Sequence, residues 1–247
     1  MSAMLARYRA VLCDLDGCLV SGETVLPGAQ GFIERAGARL EVLSNNSTDT
    51  AASLSMRLAR GGLVVAPERI VLAGVAAIEL VARRAPGGRV FVCGSSATVG
   101  YAAECGLQAD EKAPEYVILT RDTGFSYRRL QAVLGFLKRG ARLVVANADA
   151  THPGADGVPV PETGALLAAV RECLPGLSFE VIGKPEPALF LAALGRLGVS
   201  PGEAVLIGDN PATDGAGAKA AGVDFIQIGD GVGARFRDLA ELVASGC

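Results

Sequence analysis

Short apolar segments alternate with segments of helical composition along most of this chain. Apolar runs at 9–15, 39–43, 89–93, 116–119 and 204–207 are each followed by a stretch whose spacing of apolar residues suits a helix. The Pro- and Gly-rich stretch at 152–164 is predicted to be a loop. Strands joined by helix-length connections are typical of a parallel sheet with helices on both faces. We therefore predict an α/β fold with a doubly wound parallel sheet.

The composition excludes several classes of protein. The chain has 247 residues, 50% of them hydrophobic, a net charge of −3 and a single His. One His cannot supply a His-rich metal site, and no Gly-x-Ser-x-Gly motif is present. The net charge gives no excess of positive charge for binding nucleic acid. No apolar stretch approaches the ~20 residues of a membrane span. The six cysteines form no Cys-x-x-Cys motif, and without a signal-peptide pattern they predict free or buried thiols in a cytoplasmic protein.

Acidic residues end two of the predicted strands. Asp14 and Asp16 end the first, where residues i and i+2 of an extended segment project to the same side, and Asp209 follows the run at 204–207. Open α/β sheets bind ligands at the carboxyl ends of their strands. Because paired carboxylates repel, either one is protonated or both contact a cation. A simple Asp-Gly turn would also explain Asp16, and a helix N-cap would explain Asp214.

Two further polar segments follow strands. Ser44, Asn45 and Asn46 open a hydroxyl- and amide-rich stretch before a predicted helix at 51–60, where backbone N–H groups can bind an anion. A helix cap with an Asx turn would give the same pattern. Lys184 lies between a glycine and a proline, after a predicted strand at 179–182. A lone lysine is more often a solvated surface residue.

Together, these segments resemble the haloacid dehalogenase superfamily of phosphohydrolases. Its four motifs occur in the expected order as Asp14-x-Asp16-Gly17, Ser44-Asn45, Lys184 and Gly208-Asp209-Asn210-x-x-x-Asp214. Between Thr48 and Gly183 lie 134 residues, whereas a crossover needs only a dozen or more, so a domain is inserted there. We place a Rossmann-like core at 1–76 and 180–247 and the inserted α/β cap at 77–179.

The insertion resembles the large cap of the branch that contains 4-nitrophenylphosphatases and the phosphatases of pyridoxal phosphate and phosphoglycolate. The similarity is carried by Leu26-Pro-Gly-Ala29, Ser44-Asn-Asn-Ser47, Asn147-x-Asp149-x-x-His152-Pro153, Thr163-Gly-Ala165 and Gly183-Lys-Pro185. Val20 departs from the pattern, because many relatives have a bulky aromatic residue there. Substrate identity is therefore not carried over with the fold.

The resemblance implies a role for each motif residue in the hydrolysis of a small phosphorylated metabolite. Asp14 would be the nucleophile that forms an aspartyl-phosphate, and Asp16 the general acid and then the general base. Lys184 would neutralise charge on Asp14 and on the phosphoryl group. Mg²⁺ would be held by the residues Asp14, Asp16 (through its backbone carbonyl) and Asp209, with Asp214 supporting them. Phosphoryl oxygens would bind at Ser44, Asn45 and Asn46.

His152 is the residue of the cap that the resemblance places near substrate. A loop His that only supports Pro153 or a subunit contact would explain it equally well. A homodimer formed through the cap is compatible with the resemblance. Two alternatives to a phosphatase stay open: a phosphomutase or phosphotransferase that uses the same intermediate, and a non-catalytic regulatory binder that retains the fold.

Overall fold

The computed structural model describes residues 3–154 and 157–245. The strands are β1 (Ala10–Asp14), β2 (Val20–Ser21), β3 (Thr24–Val25), β4 (Leu40–Ser44), β5 (Ile70–Leu72), β6 (Arg89–Cys93), β7 (Gln108–Ala109), β8 (Tyr116–Leu119), β9 (Arg142–Val145), β10 (Thr151–Pro153), β11 (Pro159–Pro161), β12 (Phe179–Val181), β13 (Ala204–Gly208) and β14 (Asp224–Gln227). The α-helices are α1 (Ala3–Ala6), α2 (Ala29–Ala36), α3 (Ala51–Arg60), α4 (Ala73–Arg84), α5 (Ser96–Glu104), α6 (Tyr127–Lys138), α7 (Thr163–Cys173), α8 (Ala188–Leu197), α9 (Ala216–Ala221) and α10 (Leu239–Ala244).

The described residues form two compact units. The first contains those up to Ser44, Ala51–Val71 and those from Lys184 onward, and the second contains those of Asn45–Thr50 and Leu72–Gly183. Each unit has its own five-stranded sheet, in which the neighbouring strands run parallel. The predicted α/β class with parallel sheets is confirmed.

In the first unit the sheet order is β14-β13-β1-β4-β5. The chain builds outward from β1 through β4 to β5 and later returns to place β13 on the other side of β1. The order of the strands therefore reverses between β1 and β13, which is the position where open α/β sheets bind their ligands. All five residues of β1 are buried, as a central parallel strand covered on both faces requires.

The second unit has the sheet order β12-β9-β8-β6-β7. Its core lies between this sheet and helices α6 and α7, where the rings of Phe91 and Phe136 are 5.0 Å apart. The segment 152–164, predicted as a loop, instead contributes most of the antiparallel pair of β10 and β11, and its residues 155 and 156 lie outside the described residues. Helices α4 and α10 were not predicted.

Two general expectations bear on these units. Among the described residues, no helix has both the length and the apolar character needed to cross a membrane. Cys13, Cys18, Cys93, Cys105 and Cys173 are free thiols, and Cys247 lies outside the described residues.

Candidate active site

Three charged side chains are buried together at the carboxyl end of β1. Lys184 Nζ donates hydrogen bonds to Asp14 Oδ1 at 2.5 Å and to Asp214 Oδ1 at 2.6 Å. None of the three residues is more than 6% exposed. Charges are buried this deeply only when they are paired, so Lys184 is not the solvated surface lysine that its type alone would suggest.

Asp209 follows β13 and faces the turn after β1. Gly17 has φ +83°, and a Cβ built on it would lie 2.1 Å from Asp209 Oδ2. Only glycine allows both this backbone conformation and this close approach. The Asp-Gly turn therefore has a second purpose, since it lets the backbone of the first motif contact the carboxylate of the fourth.

A short π-helical turn, Pro211–Gly215, presents Asp214 to Lys184. Asn210 caps this turn, because its side chain accepts a hydrogen bond from the backbone N–H of Ala212 at 2.9 Å. The Asn210 N–H donates to Asp214 Oδ2 at 3.2 Å, which orients that carboxylate. A Cβ at Gly208 would lie 2.5 Å from the same oxygen. The helix N-cap considered for Asp214 is thus provided by Asn210.

The carboxylates of this site outnumber its cation. Burial raises the pKa of Asp14 to about 8, although Lys184 lowers it in part and Asp214 raises it again. Burial and the charge of Asp214 also raise the pKa of Asp209. Burial disfavours the ammonium of Lys184, but the two aspartates outweigh it and raise the pKa of Lys184 above its usual range. The site therefore favours the binding of a further positive charge.

The donor atoms at this position suit a hard divalent cation. One carboxylate oxygen each of Asp14 and Asp209 and the sulfur of Cys18 all lie within 4.8 Å of one another. A hydrogen bond with Cys13, together with burial, raises the pKa of Cys18 far above its usual range, so its sulfur stays a protonated thiol. The carboxylate oxygens of Asp14 and Asp209 are then the atoms of this group that could hold such a cation, and Mg²⁺ prefers oxygen ligands of this kind.

The remaining predicted residues of the first unit lie at the same edge of its sheet. Ser44 ends β4, which pairs directly with β1, and its side chain is buried. Asp16 comes two residues after Asp14, and its side chain is exposed. An exposed carboxyl next to a buried one can exchange its proton with solvent, as a general acid and base must.

The other predicted residues belong to the second unit. Asn45 Nδ2 donates to Asp149 Oδ2 at 2.9 Å. The side chain of Asn46 accepts hydrogen bonds from the N–H groups of Thr48 and Asp49 at 2.9 Å, so the Asx turn considered for this segment is present. His152 is in the hairpin strand β10.

The contacts of Glu162 with His152 and with Arg121 were not predicted from the sequence. Glu162 Oε1 lies 2.7 Å from His152 Nδ1 and 3.5 Å from Arg121 Nε. Glu162 directly precedes the Thr163-Gly-Ala165 segment, which is the only sequence signal that pointed toward it. Arg121 follows β8 and matches no motif. The His152 side chain is 41% exposed, so it keeps a face open to solvent.

Comparison with known proteins agrees with this geometry. Residues 8–222 match the sequence model of the haloacid dehalogenase-like hydrolase family. The chain belongs to the haloacid dehalogenase-like hydrolases. In the structure, the four sequence motifs lie at β1, at the end of β4, at Lys184 and directly after β13.

The relatives of this haloacid dehalogenase-like hydrolase are phosphatases. It is 30% identical to a dihydroxyacetone phosphatase from Corynebacterium glutamicum, over 90% of this chain and 81% of the relative. A 4-nitrophenylphosphatase from Thermotoga maritima has a TM-score of 0.90 at 25% identity, with 98% of this chain and 99% of that one covered. A glycerol phosphate phosphatase from Mycobacterium tuberculosis, solved in complex with magnesium, has a TM-score of 0.84 at 29% identity, with 92% and 69% covered. The chain is accordingly an enzyme, a phosphoric monoester hydrolase.

Proposed function

We propose that this chain is a Mg²⁺-dependent phosphatase that hydrolyses a small-molecule phosphate monoester through an aspartyl-phosphate on Asp14. The observation that carries the proposal is the buried contact of Lys184 with both Asp14 and Asp214 at the point where the strand order of the first sheet reverses. A lysine held there lowers the pKa that burial raises in Asp14, which favours the nucleophilic carboxylate, and it offsets the charge of an incoming phosphate.

In the first step, a carboxylate oxygen of Asp14 attacks phosphorus and the bond between phosphorus and the ester oxygen breaks. Asp16 gives its proton to the departing oxygen. In the second step, Asp16 takes a proton from water, whose oxygen attacks phosphorus and releases Asp14. The exposed position of Asp16 suits this exchange, because the same group must hold a proton in one step and accept one in the next.

The metal would be held by Asp14, the backbone carbonyl of Asp16 and Asp209, with Asp214 supporting them. When bound, Mg²⁺ supplies positive charge that offsets the surplus of carboxylates and polarises the phosphoryl oxygens. The two raised carboxyl pKa values support this assignment, since they mark a site short of positive charge.

We propose a catalytic core at 1–76 and 180–247 and a cap at 77–179 that determines the substrate. Ser44, Asn45 and Asn46 would contact phosphoryl oxygens, and His152 would contact the rest of the substrate. Glu162 would hold His152 in place, because its carboxylate oxygen lies 2.7 Å from Nδ1. The dihydroxyacetone phosphatase and the glycerol phosphate phosphatase among the relatives favour the phosphate of a small sugar or polyol.

The test is release of inorganic phosphate from a panel of small phosphate monoesters in Mg²⁺. Asp14→Asn keeps the shape of the side chain but removes the nucleophilic charge, so we expect release to fall about 10³-fold or more. Asp224→Asn, an exposed aspartate of the same unit, is the matched control and should keep its activity.

Two results would contradict the proposal. Equal phosphate release by wild type and Asp14→Asn would exclude an aspartyl-phosphate intermediate on Asp14. Full phosphate release in EDTA would exclude a requirement for the metal. If wild type releases no free phosphate but forms a new phosphate ester when an acceptor is added, the enzyme is a phosphotransferase or mutase. If it neither releases phosphate nor transfers it to an acceptor, the fold is retained for binding.

A further inference from the structure

Three uncharged polar side chains are buried together in the second unit: Ser47, Asn147 and Thr163. None is more than 1% exposed. Ser47 Oγ lies 2.9 Å from Thr163 Oγ1, and Asn147 Nδ2 lies 3.3 Å from the same Ser47 oxygen. Buried polar groups keep a fixed geometry only when each has partners, and here the three supply partners to one another.

Asn147 links this cluster to the backbone on both sides. Its Nδ2 donates to the carbonyl oxygen of Asn45 at 2.7 Å, and its Oδ1 accepts from the N–H of Asp149 at 3.1 Å. Asp149 in turn accepts a hydrogen bond from the Asn45 side chain. One asparagine therefore fixes the backbone of Asn45 directly and its side chain through Asp149.

The rest of the segment 45–50 is attached to the same unit by further contacts. The N–H of Arg121 donates to Ser47 Oγ at 3.0 Å, and Ser95 Oγ donates to the Thr48 carbonyl at 2.6 Å. Glycine backbone packs against it as well: a Cβ at Gly74 would lie 2.8 Å from Ser47 Cα, and a Cβ at Gly183 would lie 2.5 Å from Asn45 Oδ1. The segment is thus held by hydrogen bonds and by close packing.

We infer that Asn147 and Thr163 are positioning residues, which hold the segment 45–50 in the conformation that receives the phosphoryl group. This inference rests on the proposed function, which assigns phosphoryl contacts to Asn45 and Asn46. Donors at a reacting group are effective when they are oriented before the substrate arrives, and such orientation needs supporting residues behind them. Asn147 and Thr163 touch the segment and not the reacting atoms, so they act through it.

A positioning role makes a specific kinetic prediction. The segment would contact the phosphate group, which all substrates share. A disturbance of the segment should therefore weaken the binding of every ester, and of inorganic phosphate, by the same factor. A residue that contacts the leaving group would instead change the preference among esters. A residue that only stabilises the fold would lower the melting temperature without changing the affinity for phosphate.

The experiment uses two substitutions at Thr163 that separate its hydroxyl from its volume. Thr163→Val keeps the volume and loses the hydroxyl, whereas Thr163→Ser keeps the hydroxyl and loses a methyl group. Inorganic phosphate is the probe, as a competitive inhibitor of the hydrolysis of 4-nitrophenyl phosphate and of glycerol phosphate. Hydrogen exchange of the peptide that covers 45–50 is measured in parallel, because it needs no turnover. Tyr101→Phe, which removes one side-chain hydrogen bond to Glu79 in the same unit, is the control.

We expect Thr163→Val to raise the inhibition constant of phosphate and both KM values about fivefold, the factor that one lost hydrogen bond of about 1 kcal/mol gives. Amides of 45–50 should exchange faster in that variant. Thr163→Ser should remain within about twofold of wild type, and Tyr101→Phe should match wild type in both readouts.

The inference is overturned if Thr163→Val leaves phosphate inhibition and local exchange unchanged. It is also overturned if Thr163→Ser is affected as strongly, or if Tyr101→Phe shows the same changes. Failure of the proposed function has a different signature, because wild type would then release no phosphate. The exchange arm would still report whether Thr163 holds the segment.

Discussion

The two sheets have the same number of strands but present different chemistry where those strands end. In the first unit, β1 and β13 lead into Asp14 and Asp209, and the buried partner of Asp14 is the charged Lys184. In the second unit, β8 leads into Thr120 and β9 leads, one residue later, into Asn147, both buried and uncharged. The first arrangement concentrates charge, and the second distributes neutral hydrogen bonds.

The difference follows from what each kind of group costs when it is buried. A neutral side chain loses little if its hydrogen bonds are remade inside the protein, and it then fixes the backbone around it. A charge loses far more, and even a well-paired ion cluster is often no more stable than apolar residues of the same size. The charged cluster of Asp14, Lys184 and Asp214 is therefore explained by the reaction that it would support. The neutral cluster of Ser47, Asn147 and Thr163 is explained by the backbone geometry that it fixes.

The largest expected effect comes from removing the single cation of the charged cluster. Lys184→Met keeps the length of the side chain but leaves Asp14 and Asp214 buried without a cation. We expect the free energy of unfolding to fall by about 4 kcal/mol and phosphate release to be lost. Urea unfolding measures the first and phosphate release the second. Lys219→Met, an exposed lysine of the same unit, should change neither; equal behaviour of the two variants would mean that Lys184 balances no charge.

The complementary test places a charge in the neutral cluster. Asn147→Asp preserves shape, but it puts a carboxylate oxygen against the carbonyl of Asn45 and the hydroxyl of Ser47. Burial without a cation should raise the pKa of the new carboxyl by about two units, which costs about 3 kcal/mol at pH 8. The cost should shrink toward pH 5, where the group is protonated. Gln131→Glu, at an exposed position of α6, is the control, and a loss independent of pH would show that charge is not the cause.

Much of both sheets was predictable because their strands are short apolar runs. The bounds predicted for β6 (89–93) and β8 (116–119) are those of the structure. Helix α4 escaped prediction because its first six residues are all buried, which removes the polar face that a helical period needs, and no side chain caps its start. Prolines in β10 and β11 hid that hairpin, since proline disfavours strand assignment.

The candidate site divides in a similar way. Asp14 and Asp209 were predicted from their places at strand ends, since local sequence determines both. Lys184 was assigned only through resemblance, because its partner Asp14 is 170 residues away and no local pattern marks the contact. The contact of Glu162 with His152 and Arg121 escaped prediction for the same reason. Residues that meet through tertiary folding leave no periodic signal.

The smallest of the three effects tests whether the first unit also buries a charge away from the cluster around Lys184. Glu41 in β4 is 1% exposed, its Oε1 lies 3.7 Å from Arg69 Nη1, and its Oε2 has no hydrogen-bond partner among the described residues. Burial raises the pKa of Glu41 to about 7, although Arg196 and Arg69 lower it in part.

The folded state thus binds the proton of Glu41 more tightly than the unfolded chain does. The resulting stabilisation is complete below pH 4.5 and is lost as the pH rises through 7. Glu41→Gln should therefore be more stable than wild type by about 2 kcal/mol at pH 6 and no more stable at pH 4, as measured by urea unfolding. Glu34→Gln, exposed on α2, should show no such difference. If the gain of Glu41→Gln is the same at both pH values, Glu41 does not titrate in the folded state, and buried charge in the first unit is a cost confined to the cluster around Lys184.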